Sequence, residues 1–106
     1  MGIDQNLVEE IVRRVTTVIA AERIIVFGSA ATGEMTRDSD IDLLILEKSI
    51  GNGREDWLRV QEALVDLGYP FDIILMTWQR FEETKNIIGG IAYPANKHGK
   101  VVYEAA

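Results

Sequence analysis

This sequence contains no cysteine. That excludes a disulfide framework and any cysteine-based zinc, iron–sulfur or thiol chemistry, and it fits a reducing compartment. Histidine occurs once, as His98, and reads as a surface residue near a helix end. Positive charge is scarce: 11 Lys and Arg stand against 17 Asp and Glu, for a net charge of −6. A dedicated nucleic-acid surface needs a basic patch that displaces counterions, so this balance argues against one. A phosphate-bearing ligand would need its repulsion offset locally, and metal ions are the obvious means. Long apolar runs are missing too. None approaches the ~20 residues of a membrane span. The start, MGIDQNLVEE, lacks the basic residues and apolar stretch of a signal peptide. What is present is 106 residues, 47% of them hydrophobic. That composition predicts one globular, cytoplasmic domain over residues 1–106.

Periodicity orders the chain into alternating helices and strands. Leu7, Ile11, Val15 and Val18 recur at helical spacing from about Asp4 to Ala20, with Asp4 as the N-cap. Glu9, Glu10, Arg13 and Arg14 form a solvated opposite face with i,i+4 pairs. Arg23–Phe27 is a short β-branched run that stops at Gly28. A small polar stretch follows, with a turn of helix over Ala30–Glu34. Asp40–Glu47 is the strongest strand, continuously apolar after its first three residues. Arg54–Leu67 returns to helical spacing, with Trp57, Leu58, Gln61, Leu64 and Val65 on one side. Gly68 and Pro70 end it. Phe71–Met76 is a third strand, and Thr77 caps a short helix from Trp78 to about Lys85. Gly89, Gly90 and Pro94 break any helix between Asn86 and His98, or delay its start. Lys100–Glu104 is the last strand. This order predicts an α/β (α+β) fold: a small mixed sheet of three to four strands, with helices packed mainly on one face. The second and third strands are joined through a helix, so they should run parallel. The first two can pair antiparallel or through a tight crossover.

One constellation carries chemistry. Gly28-Ser29 is followed after ten residues by Asp40-Ile41-Asp42. Gly28 ends a strand where a ligand can approach the backbone. Ser29 and the N–H groups after it form a small anion site. Asp40 and Asp42, two apart on a strand, share a face. Two such carboxylates stay ionised only beside a cation. Oxygen ligands without nearby histidine or cysteine select Mg²⁺ or Mn²⁺. Asp72 lies inside the apolar run PFDIIL, where a carboxylate is costly to bury unless it meets the metal. If these strands are neighbours, all three carboxylates reach one end of the sheet.

The string GSAATGEMTRDSDIDLLIL, with a third Asp on a later strand, resembles the signature of the DNA polymerase beta-type nucleotidyltransferase superfamily. At this length the chain is similar to a minimal, stand-alone prokaryotic member. The resemblance implies catalytic roles for Asp40, Asp42 and Asp72, which would ligate two Mg²⁺ ions. Gly28 and Ser29 would hold the β- and γ-phosphates of ATP or another NTP. Many relatives carry Arg directly after Gly-Ser, where this chain has Ala30 and Ala31. Arg37 is the candidate to supply that missing phosphate contact; as a bland alternative it is a solvated loop charge. Trp57 and Trp78 read as packing residues rather than base-stacking platforms, and Lys48 as a plain surface lysine.

The implied activity is transfer of NMP, with AMP from ATP as the leading candidate, to a hydroxyl. The chain leaves no room for an acceptor-binding domain, so that surface must come from a partner or from self-association. Minimal nucleotidyltransferases commonly stand beside a helical HEPN protein. The resemblance therefore implies an antitoxin that adenylylates a HEPN toxin. Two alternatives stay open. One is a binding or nucleotide-sensing subunit that neutralises a partner by contact. The other is half of a two-component enzyme that nucleotidylates a small molecule.

Overall fold

A computed structural model describes residues 4–32 and 39–106. Its element order is α1 (Gln5–Val18), β1 (Arg23–Phe27), α2 (Ser29–Thr32), β2 (Ile41–Glu47), α3 (Gly53–Leu64) with a 3₁₀ turn over Val65–Leu67, β3 (Phe71–Thr77), α4 (Trp78–Thr84), α5 (Ala92–His98) and β4 (Lys100–Glu104). The four strands form one sheet in the order β3-β2-β1-β4. β1 pairs antiparallel with β2 and with β4, and β2 pairs parallel with β3. The open choice at the first connection thus resolves to an antiparallel pair. The sheet is mixed and four-stranded, as expected.

Alternation along the strands sorts the core into two layers. Ile24, Val26, Ile41, Leu43, Ile45 and Ile73 face α1 and α3, where Ile11, Val15, Val60 and Leu64 meet them. Ile25, Phe27, Leu44 and Leu46 face the other way, onto Phe81 of α4 and Ala92 and Ala95 of α5. β2 is central and covered on both faces, which explains its unbroken apolar run. The two longer helices share one face. Among the described residues, the other carries two seven-residue helices. Pro94 falls in the first turn of α5, where a missing N–H costs nothing.

Several local expectations need correction. Asp4 stands at the N-cap of α1 without a side-chain hydrogen bond. The buried face of α3 is Val60 and Leu64, whereas Trp57, Leu58 and Val65 are exposed. A helix over one edge of a sheet buries a narrow stripe, and apolar residues outside it stay in water. Arg14 is more than a solvated charge. It bridges Glu10 and Asp66 and donates to the Ala63 carbonyl at 3.0 Å, fastening α1 to α3. The expected cap does appear at Thr77, whose side chain accepts from Arg80 N–H. Asn52, not foreseen, caps α3 by accepting from Glu55 N–H. Gly68 adopts a left-handed φ of 84° after the 3₁₀ turn.

Glu47, at the far end of β2, is 5% exposed and faces Asp56 of α3. Burial, the Asp56 charge and a hydrogen bond shared with Asp56 raise its pKa to about 7. The group's folded value thus lies above its unfolded value. Its stabilising contribution is complete below about pH 4.5, declines as pH rises, and is lost above about 7. Asp56 is half-buried, so solvent screening trims the effect. Glu47→Gln should therefore raise stability at pH 8 by about 1–2 kcal/mol and leave it unchanged near pH 4. Urea denaturation of both proteins at the two pH values checks this. An unchanged midpoint at pH 8 would contradict it.

Candidate active site

The site forms where three strand ends meet. β1 runs toward it and β2 and β3 run away from it. Phe27 pairs with Asp42, and Asp42 shares a rung with Asp72 of β3. Adjacent strands lie about 4.8 Å apart, so two carboxylates on one rung are neighbours. Even-numbered positions of β2 and β3 share the α4–α5 face, as Leu44 and Ile74 show. Asp42 is half-buried at the mouth of that face, while Asp72 is exposed. The apolar run PFDIIL predicts a buried place for Asp72. Its place as second residue of an edge strand gives it water instead. Asp40 precedes β2 and is also exposed.

Asp42 is the electrostatic centre. Its pKa is raised first by burial, then by the charges of Asp72 and Asp40, and by a hydrogen bond shared with Asp72. The first strand supplies the opposing wall. Gly28 follows Phe27 with φ +70°, a left-handed conformation. A Cβ there would lie 2.1 Å from Oδ2 of Asp42. Only glycine lets the backbone and that carboxylate come together. Gly28 O accepts a hydrogen bond from Ala31 N–H at 3.1 Å, which starts the turn into α2. Ser29 opens that turn, half-buried. Ala30 is buried in the core and Ala31 packs half-buried against it, so neither faces a ligand. Arg37 lies outside the described residues.

The donor set suits a hard divalent cation. Among the described residues no three carboxylates gather tightly enough to hold an ion unaided. Asp42 and Asp72 make a close pair, with Asp40 within electrostatic range. Mg²⁺ commonly takes one or two carboxylates and completes its shell with water and substrate phosphates. The concentration of negative charge that raises Asp42 is the charge such an ion would neutralise.

The other end of the sheet is separate. The Lys48 side chain is 83% exposed and pairs with Glu22 at 3.8 Å, about 20 Å along the strand direction from Asp42. It is a surface lysine, as expected, and out of reach of the site. Trp78 lies at that end as well, with the Arg23 guanidinium 4.5 Å above its ring. Neither it nor His98, exposed at the end of α5, joins the carboxylates.

Residues 5–93 match the family model of the nucleotidyltransferase domain. The chain belongs to the nucleotidyltransferase domain family. No curated protein matches the sequence significantly. Solved structures show the same fold. A toxin–antitoxin complex with AMP-PNP contains a chain that superposes with a TM-score of 0.73 at 19% identity, over 92% of this chain and 73% of that one. The toxin–antitoxin complex MntA-HepT gives 0.68 at 16% identity, over 96% and 74%. A tri-AMPylated Shewanella oneidensis HEPN toxin in complex with MNT antitoxin gives 0.66 at 16% identity, over 97% and 74%. Among the described residues of this nucleotidyltransferase domain, no helix is long and apolar enough to cross a membrane.

Proposed function

We propose that this nucleotidyltransferase moves AMP from ATP to a hydroxyl on a HEPN-like partner protein, and that it acts as the antitoxin of that pair. The observation that carries the reading is the Asp42–Asp72 rung opposite Gly28, with Asp40 beside it. The fold shared with antitoxins of HEPN complexes, one of them with an AMPylated toxin, supports the choice of partner and nucleotide. Asp40, Asp42 and Asp72 would hold Mg²⁺ or Mn²⁺, two ions when nucleotide is bound. Such ions neutralise the triphosphate and polarise the reacting phosphorus.

The chain's own residues do the rest. Gly28 keeps the approach to Asp42 open, and Ser29 receives the outer phosphates at the start of the turn into α2. Arg37 adds a phosphate contact. Asp72, exposed at the rim, accepts the proton of the incoming hydroxyl. The acceptor oxygen bonds to the α-phosphorus, the bond to the bridging oxygen breaks, and pyrophosphate leaves with its electron pair. A partner or a second copy completes the acceptor surface.

ATP labelled at the α- or the γ-phosphate tests the reaction type. Incubation with Mg²⁺ and the HEPN-like protein encoded nearby should label that protein from the α position alone. Label from the γ position would mean phosphoryl transfer and would overturn the reading. Arg37→Ala should raise the KM for ATP severalfold with a smaller change in kcat, since it removes a binding contact. An unchanged KM would leave Arg37 as a solvated charge.

A further inference from the structure

Trp57 sits in the first half of α3, 38% exposed, and contributes little to the core. Its polar atom is nevertheless committed. Nε1–H donates to the carbonyl oxygen of Ile73 at 3.1 Å. That carbonyl belongs to β3, the strand at one edge of the sheet. Carbonyls along a strand point alternately to its two sides. Pro70 O turns toward β2 and accepts from Ile41 N–H at 2.9 Å. Asp72 O therefore also turns toward β2, and Ile73 O turns to the open edge. The indole N–H is the donor it meets there.

The position of this contact matters. Ile73 is the residue after Asp72, one step of about 3.3 Å along the strand. β3 starts at Phe71, so Asp72 lies on its second residue, where a strand frays most readily. β2 ties this end from one side only. The side chain of Ile73 is buried beneath α3, while its carbonyl is gripped by α3's indole. The strand end is thus fixed to the helix as well as to the sheet.

We infer that Trp57 is a positioning residue, whose indole N–H clamps the open edge of β3 and holds the Asp72 carboxylate on the same rung as Asp42. The inference rests on the proposed role of Asp72 as a metal ligand. Trp57 touches no reacting group. It acts through the backbone, and its loss should loosen the carboxylate pair without removing either member.

The test is Mn²⁺ binding to the purified chain, followed by the electron paramagnetic resonance signal of the free ion. Three proteins are compared with the parent: Trp57→Phe, Trp57→His and Asp72→Asn. Phe keeps a ring and loses the donor, whereas His keeps a ring N–H. Trp57→Phe should weaken Mn²⁺ binding by roughly three- to tenfold, the worth of one hydrogen bond. Trp57→His should recover part of that loss. A merely structural role would lower the melting temperature and leave the Mn²⁺ affinity of the folded protein unchanged. Should Trp57→Phe fail to fold, 3-benzothienylalanine at position 57 keeps the indole shape with sulfur in place of N–H, and the same weakening is expected. Parent-like Mn²⁺ affinity in the donor-less protein, with Asp72→Asn impaired, overturns the role of Trp57 alone. Parent-like affinity in Asp72→Asn overturns the metal role of Asp72, and this inference with it.

Discussion

Asp42→Asn is expected to lower AMP transfer by roughly 10²–10³-fold, the scale on which one preorganised electrostatic group is worth in such transition states. The same substitution should not destabilise the fold. Asp42 is half-buried, and its charge is disfavoured by burial and by Asp72 and Asp40. An amide of the same shape removes that repulsion. Metal-free Asp42→Asn should therefore melt at or above the parent's temperature at pH 7.5. Added Mg²⁺ should stabilise the parent and leave the variant nearly unmoved, since binding to the folded state alone raises stability. Label transfer at saturating ATP and thermal unfolding with and without Mg²⁺ read both effects. A large fall in melting temperature without metal would mean that Asp42 is a structural carboxylate.

Gly28→Ala is expected to damage both stability and activity. An L-residue in the left-handed region costs about 1–2 kcal/mol, and Gly28 has φ +70°. The new Cβ would also lie 2.1 Å from Oδ2 of Asp42, so the carboxylate must move. Displacing a catalytic group by about 1 Å can cost on the order of 10²-fold in rate. The two causes separate in a double-mutant cycle. On the Asp42→Asn background the strain cost should persist, while the further loss of activity should be small, because the displaced group is already disabled. Equal losses of activity on both backgrounds would show that Gly28 acts on the ligand directly rather than through Asp42. Chemical denaturation and the transfer assay, run on the four proteins, supply the numbers.

The strands were legible because their signals are strong and local. Arg23–Phe27 and Lys100–Glu104 fall on the expected residues, and β2 reads as a fully covered strand because it is one. Asp42 is legible as one of two carboxylates spaced two apart at the head of that strand, and the structure brings it beside Asp72 and Gly28. What stayed hidden depends on contacts between distant segments. Trp57, Leu58 and Val65 are apolar, yet α3 turns Val60 and Leu64 inward instead. Apolarity alone does not say which stripe of a helix finds the sheet. Glu47 resembles any charged strand end, and only the approach of α3 buries it against Asp56. The exposure of Asp72 follows from the strand order, which one sequence does not print. The clamp on Ile73 O joins residues 16 positions apart through a backbone atom. No side-chain pattern could announce it.

Under the proposed function, neutralisation of the partner is covalent and depends on Asp40, Asp42 and Asp72. Intact mass spectrometry of the HEPN-like partner, purified after co-expression, tests it most directly. Co-expression with the parent should yield partner carrying one or more adenylyl groups. Co-expression with the Asp40→Asn, Asp42→Asn, Asp72→Asn triple variant should yield unmodified partner that still arrests growth. An unmodified partner in both cultures, with growth restored by the triple variant, would contradict the account and assign neutralisation to contact alone.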